Sequence, residues 1–486
     1  MTEEEYKFIC AMCDRVLLED NAQFERIAIP WLHVIREHPV FLQQYEELFS
    51  PHSFTRRLKK QVRDFSKKTF SSLRHIWRIF RLPRKSWTRG LENSKSYDVI
   101  FITHLLAPSH LSNEQDFYFG NVPNMLSKQG FSVLIILINH TSESDFVLSN
   151  NINSSDIPRL IIPKTLSLQS EFKIWSKTKK QARLLRQKAR TELDEFRKSI
   201  LRESARKATS NATKDSIRIS KAIEEITSLT KPHAIVALYE GHSWERLAFS
   251  AARKASKTVK CIGYQHAALF QLQHASRRSL GEKYDPDVIL TAGQVGLNHW
   301  KRSESFINPI FDILGSNRSS NRFIRQPTET CIVLPEGYLS ECYILFSFSL
   351  QCARRYPHIN FIWRLHPIVS FNDMSQLGIE MAELPNNIVI SSKELEEDLI
   401  SCRWALYRGS TSIVTAASNG IIPIYLERKD ELSINPLFEI AHSHPNITSV
   451  DQFLSALDAP HWNQQSINYC LEFFTPFDYS KLAQQL

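Results

Sequence analysis

The sequence predicts an α/β protein made of two Rossmann-like halves that face one another across a cleft, preceded by a helical extension and interrupted by a long inserted helical segment. Three observations predict it. Apolar runs of strand length alternate with helical runs twice over, from Tyr97 and again from Thr330. Turns rich in glycine and hydroxyls stand at the carboxyl ends of several of these runs, and a polar stretch from Gly315 to Gln326 reads as a linker between the halves. The expected boundaries are a helical extension over 1–92, a first Rossmann-like domain over 96–315 with the insertion at 165–229, a second over 327–460, and closing helices over 461–486.

Residues 4–49 carry apolar positions at helical period (Tyr6, Ile9, Cys10, Cys13, Val16, Leu17, then Trp31, Val34, Ile35), which predicts two or three short helices and no chemistry. In the first domain the expected strands are Tyr97–Ile102, Phe131–Asn139, Arg159–Pro163, Ala234–Tyr239, Val259–Tyr264, Val288–Ala292 and Phe311–Leu314. Leu166–Thr227 has neither Pro nor Gly and repeats apolar residues at helical spacing, so it reads as one or two long helices, a possible arm for a protein partner. In the second domain the strands fall at Thr330–Leu334, Asn360–Leu365, Asn387–Ser391, Arg403–Tyr407 and Ile421–Leu426.

A chain of 486 residues with 42% hydrophobic and 23% charged content is long enough for two or three well-filled cores. Its amino terminus, Met1-Thr2-Glu3-Glu4-Glu5, lacks the plan of a secretory signal, and no apolar run approaches the roughly 18 residues of a spanning helix, so a cytoplasmic place is expected. Eight scattered cysteines make no disulfide framework, and the lone Cys10-x-x-Cys13 pair reads as core. The basicity is local: residues 54–89 hold thirteen Lys and Arg against the single acid Asp64, a balance of +12 that exceeds the +9 of the whole chain and leaves the remainder at −3. Phe54, Leu58, Val62, Phe65, Leu73, Ile76, Trp77 and Phe80 give that segment an apolar face, a pattern that suits an in-plane helix on an anionic membrane surface. No recognition motif accompanies the charge, so a nucleic-acid partner is not expected.

Neither a Gly-x-Gly-x-x-Gly nor a Walker lysine loop is present, which argues against a dinucleotide oxidoreductase or a P-loop ATPase. Asp285-Pro286-Asp287 lies directly before a strand and reads as a turn, so no metal site is expected. The stretch Arg408-Gly409-Ser410-Thr411-Ser412 breaks a strand and opens an Ala-rich helix, an arrangement of amides and hydroxyls that suits a phosphate. Arg364, His366 and Pro367 stand at the end of a neighbouring strand and should face the same crevice. In the first domain Glu240, beside Gly241, and His266, in Gln265-His266-Ala267, sit at strand ends as candidate bases. Asp116, in the loop Asp116-Phe117-Tyr118-Phe119-Gly120, and Glu336, in Pro335-Glu336-Gly337, are reserves.

Together, Arg364-Leu365-His366-Pro367, Arg408-Gly409-Ser410-Thr411 with Gly420-Ile421-Ile422-Pro423, and Tyr239-Glu240-Gly241 resemble bacterial GT-B glycosyltransferases that build surface polysaccharide. The sialyltransferases and Kdo transferases that use CMP-activated acidic sugars are the nearest in motif. The resemblance spans roughly residues 96–480 and implies GT-B architecture, with an acceptor domain first and a nucleotide-sugar domain second. It implies an inverting, metal-independent transfer from a CMP-sugar to a lipopolysaccharide or capsule acceptor at the inner face of the cytoplasmic membrane. Carried over by position, it makes His366, Ser410 and Thr411 the grip on the nucleotide and Glu240 the base. The chain departs from the pattern at Tyr239, where the family often has a second acid. The later His-Pro and Ser/Thr motifs also resemble CDP-glycerol-type polyol phosphotransferases, in which case His266 would be the base. A third expectation is a non-catalytic, membrane-associated assembly factor that keeps the fold and uses the long helices as its arm.

Overall fold

The computed structural model describes residues 1–49, 88, 96–150, 157–303, 309–319, 322–366, 369–380, 383–458 and 462–486. The basic segment expected at 54–89 lies outside the described residues, Thr88 apart, and so does Pro367.

Two all-parallel sheets carry the molecule. The first has seven strands: β1 Val99–Leu105, β2 Val133–Asn139, β3 Arg159–Ile162, β4 Ala234–Leu238, β5 Lys260–Gln265, β6 Val288–Thr291 and β7 Ile310–Ile313, in the order β3-β2-β1-β4-β5-β6-β7. The second has six: β8 Thr330–Leu334, β9 Asn360–Arg364, β10 Ile388–Ser391, β11 Trp404–Tyr407, β12 Ile422–Leu426 and β13 Asn446–Ile447, in the order β10-β9-β8-β11-β12-β13. Strands covered by helices on both faces need side chains that are apolar in both directions, and β2 (Val-Leu-Ile-Ile-Leu-Ile-Asn) and β4 (Ala-Ile-Val-Ala-Leu) are buried along their whole length. In each sheet the order reverses beside the first strand, where β1 pairs with both β2 and β4 and β8 with both β9 and β11. A parallel sheet opens a crevice outside its carboxyl edge at such a reversal.

The insertion folds as three helices, Leu168–Thr191, Glu195–Lys207 and Asn211–Thr230, one more than the spacing suggested. Their apolar stripes do not wait for an outside partner. Leu185, Ala189, Ile200, Leu201 and Ala205 share one core with Tyr6, Ile9, Cys13, Val16 and Leu17 of the first helix, Glu3–Ala22. That helix starts at a reciprocal cap, in which Thr2 Oγ1 accepts from the Glu5 amide at 3.1 Å and Glu5 Oε2 from the Thr2 amide at 2.8 Å. Extension and insertion therefore make a helical layer of their own on the first domain. At the other end the helix Gln464–Leu471 packs on Ser412–Ser418 of the second domain, after which the chain crosses back and buries Leu482 in the first.

If the insertion is part of this shared core, Leu185→Ala, at a side chain with no exposure, lowers unfolding free energy by about 2–5 kcal/mol in guanidinium denaturation. A loss below about 0.5 kcal/mol would mean that the insertion is an independent arm.

Candidate functional site

The carboxyl end of β4 is built around an internal anion. Gly241 has φ +87°, and a Cβ there would stand 2.3 Å from the carbonyl carbon of Ala275, so the turn admits only glycine. The turn's amides point inward, and Glu245 Oε2 accepts from Glu240, Gly241 and His242 at 3.0, 2.8 and 3.0 Å. This nest is thus filled by the protein's own carboxylate, which burial pushes up to about 7. Glu240 itself is turned outward, its Oε2 at 3.3 Å from His242 Nε2. Burial opposes its charge, but the His242 hydrogen bond with the charges of Arg36 and His266 outweighs it and holds the carboxyl well below the usual range.

His266, just past β5, packs edge-on against Tyr118 at 4.7 Å, and its Nδ1 is buried without a hydrogen-bond partner. Burial pushes this imidazole down to about 4, so it is a neutral base at pH 7. On the far side of β4, His104 near the end of β1 lies 2.9 Å from His140 after β2, ring nitrogen to ring nitrogen, and 5.3 Å from the ring of Trp244. Burial pushes His104 down to about 3. Four histidines and Glu240 therefore share this edge, and the sequence reading had singled out only His266 and Glu240. Asp116 is a correction: its Oδ1 accepts from Thr103 Oγ1 and from the amides of Tyr118 and Phe119, so it holds the loop that presents Tyr118 and is committed as a structural group.

On the second domain, β8, β9 and β11 deliver Glu336, His366 and the Gly409-Ser410-Thr411 turn. A Cβ at position 409 would fall 1.6 Å from Glu336 Oε1, so glycine is there to admit that carboxylate. Glu336 Oε1 is buried without a hydrogen-bond partner. Burial pushes the His366 imidazole down, with Glu336 pulling the other way. Arg318, on the linker, donates to Thr411 Oγ1 at 2.9 Å while its charge interacts with Tyr264, Tyr118 and Glu240 of the first domain. Ser410 is buried, and Ser412 begins the short helix.

Two expected arginines are corrections. Arg408 is 1% exposed and pairs with Glu341 at 2.7 Å and Glu431 at 2.5 Å while donating to the Leu426 carbonyl, which leaves its guanidinium engaged inside the domain. Arg364 pairs with Asp398 at 3.1 Å and donates to the Lys393 carbonyl, because β9 alternates and its even positions face away from Trp363 and Phe361.

The extension, from which no chemistry was expected, enters the crevice. His38 Nδ1 accepts from the Val40 amide at 3.2 Å, so Nε2 carries the proton and faces Glu336 Oε2 at 3.2 Å. Arg36 donates to the Tyr338 hydroxyl at 3.4 Å, lies over the rings of Phe41 and Phe270, and interacts with both Glu240 and Glu336. Glu37 accepts from the Leu272 amide at 2.6 Å, and burial pushes its carboxyl up to about 7. The available signal was Pro30 and Pro39 bracketing a stretch that ends Arg36-Glu37-His38. Val34 inside it sits at φ 47°, a conformation that a β-branched side chain rarely adopts.

The other motifs are structural. Asp285 pairs with buried Arg246 and accepts from the Leu280 and Gly281 amides, and Asp287 pairs with Arg253 and accepts from the Cys261 amide. Cys10 and Cys13 are buried in the helical core.

Two parallel Rossmann-like sheets with a crevice between their carboxyl edges, and a carboxyl-terminal segment that returns to the first domain, define the GT-B architecture. No family model matches the chain, and no curated protein does. Among solved structures it is similar to MurG of Acinetobacter baumannii (10% identity, 80% of this chain and 98% of that one, TM-score 0.44). It is also similar to the glycosyltransferase SnogD of Streptomyces nogalater (12%, 80% and 100%, 0.44) and to the UDP-GlcNAc 2-epimerase of Neisseria meningitidis, solved with UDP-GlcNAc bound (11%, 80% and 98%, 0.44). Likeness at this distance says nothing of activity, and the fold assignment stands on the sheets themselves.

Removing one member of a buried ion pair strands its partners, so Arg408→Ala should cost about 3–5 kcal/mol in urea denaturation. Arg318→Ala, at an exposed side chain, should stay within about 0.5 kcal/mol. The opposite ranking would return Arg408 to the crevice.

Proposed function

We propose that the crevice transfers a sugar from a nucleotide donor to an acceptor hydroxyl with inversion. The observation that supports this best is Arg318, a cation bonded to Thr411 on the second domain whose charge also interacts with Glu240 on the first. The acceptor hydroxyl oxygen forms a bond to the anomeric carbon, the bond from that carbon to the donor phosphate oxygen breaks with its electrons, and Glu240 takes the hydroxyl proton. Arg318, Thr411, Ser410 and His366 stabilise the departing nucleotide, whose negative charge grows as the bond breaks. Arg36 and His242 keep Glu240 ionised for its task. No step in this scheme is assigned to a metal.

The donor nucleotide and the sugar are read from motif likeness alone. On that reading the donor is a CMP-activated acidic sugar of the Kdo or sialic type, and the acceptor is a lipopolysaccharide or capsule chain at the inner membrane face. Among the described residues no helix is long and apolar enough to cross a membrane, so attachment on this reading is peripheral. His266 supports a second reading, polyol phosphate transfer from a CDP-polyol, because its imidazole is neutral at pH 7 and its Nδ1 lacks a partner.

Thermal shifts with CMP, CDP, UDP and GDP test the donor: CMP should raise Tm most, by several degrees at saturation, and a larger rise with another nucleotide reassigns it. Glu240→Gln should lower kcat by about 10²–10⁴-fold with the nucleotide shift intact. Loss of turnover only in His266→Asn would move the base to His266 and overturn the first reading. Both candidate bases are held down, Glu240 below the carboxylate range and His266 to about 4, so each stays unprotonated as pH falls through 6.5. The acid limb of kcat/KM should therefore lie below that value, and a limb centred at 6.5 would point to a different group.

A further inference from the structure

The helix Leu168–Thr191 buries Ile174, Thr178, Ala182, Leu185 and Ala189 and turns a different line of residues outward. Leu168, Phe172 and Trp175 are 62, 66 and 43% exposed, and Lys179, Arg183, Arg186 and Arg190 continue the same line in steps of three and four. The Phe172 and Trp175 rings stack at 5.5 Å, and Lys179 Nζ lies 3.8 Å over the Trp175 ring. The helix's one acid, Glu171, is buried against Arg218 at 2.8 Å, so the outward line holds aromatic and cationic side chains and no carboxylate.

We propose that this line is a docking face for an anionic bilayer surface. The charge is of one sign, which matches anionic headgroups, and the adjoining Trp and Phe are the residues that settle at headgroup depth. An exposed aromatic stripe of this kind needs a covering surface, and a straight one-sided line fits a plane better than a pocketed partner. Its position agrees. The helix begins just after β3, beside Lys164, which donates to the Thr141 carbonyl at 2.8 Å and whose charge bears on His140 of the histidine edge. A lipid-linked acceptor lying in the bilayer surface would then reach the edge that holds His104, His242 and Glu240. The chain also passes into the basic stretch 54–89 from Phe49, whose ring packs on Phe196 of the adjoining helix Glu195–Lys207.

Flotation of the full chain with phosphatidylcholine vesicles, with and without phosphatidylglycerol, tests the proposal. No sugar nucleotide is present, so the result does not depend on glycosyl transfer. The wild type should float with the anionic vesicles and remain behind with the neutral ones. Phe172→Ser with Trp175→Ser, and separately Lys179→Glu with Arg183→Glu and Arg186→Glu, should each weaken partitioning by about tenfold or more. All five side chains are exposed, and unchanged unfolding midpoints confirm that the variants fold. Wild-type flotation retained in both variants overturns the proposal. So does failure of the wild type to float, or self-association that the aromatic variant abolishes while flotation persists.

Discussion

The crevice depends on the compensation of two buried acids that the fold brings together. Glu240 and Glu336 end strands of different sheets, and each is taken largely out of water. An uncompensated buried carboxylate costs several kcal/mol or takes up a proton, and a protonated Glu240 could not take the proton of a hydroxyl. Arg36 interacts with both acids from a wall of aromatic rings, and His38 Nε2 lies 3.2 Å from Glu336 Oε2. The candidate base is thus kept ionised by the His242 hydrogen bond and, after it, by Arg36, a residue lying far outside either Rossmann-like domain.

That dependence gives the helical layer a reason to exist. Arg36 is useful only if its backbone is fixed, and the stretch that carries it has no regular secondary structure to fix it. The support comes from both sides: Trp31, Leu32 and Val34 sit in the core that the first helix shares with the insertion, and Glu37 takes the Leu272 amide. Arg278 joins the same arrangement by donating to Asp14 at 2.6 Å and meeting His33 at 2.9 Å. The insertion holds the extension, and the extension places a charge in the crevice. A loop free in solvent at a domain surface could not fix a guanidinium where both acids feel its charge.

The strands were legible because continuous apolar runs between turns have few alternatives, except β13, whose two residues are too short to carry a pattern. Gly409 and Gly241 were legible as turns, although what each makes room for, Glu336 and the Ala275 backbone, lies far away in number. Arg364 and Arg408 were misread for one reason. A basic residue at the end of a parallel strand looks the same in sequence whether it awaits a phosphate or already holds a carboxylate, and Glu341, the partner of Arg408, is 67 residues distant. His104 and His140 belong to no motif and meet only because β1 pairs with β2. Arg36 was missed because the spacing of Trp31, Val34 and Ile35 reads as a helix, and nothing in that spacing says that the polar residues after it enter the crevice.

The electrostatics bear on how such a site can work. A base held well below the carboxylate range is reliably ionised but weakly basic, so it cannot drive proton transfer by its own affinity. On the glycosyl transfer proposed above, its contribution would come late, when the acceptor oxygen is already bonding to the anomeric carbon and its proton has become acidic. Such an arrangement places most of the acceleration on the opposite side of the crevice, in the stabilisation of the departing nucleotide. The groups available there are few and spaced apart: Arg318 open to solvent, Thr411 already bonded to it, and His366 with its proton affinity lowered by burial. On that same proposal, a donor phosphate would take Arg318 from Thr411 and draw a proton onto His366. The nucleotide would then supply the charge that organises its own leaving group.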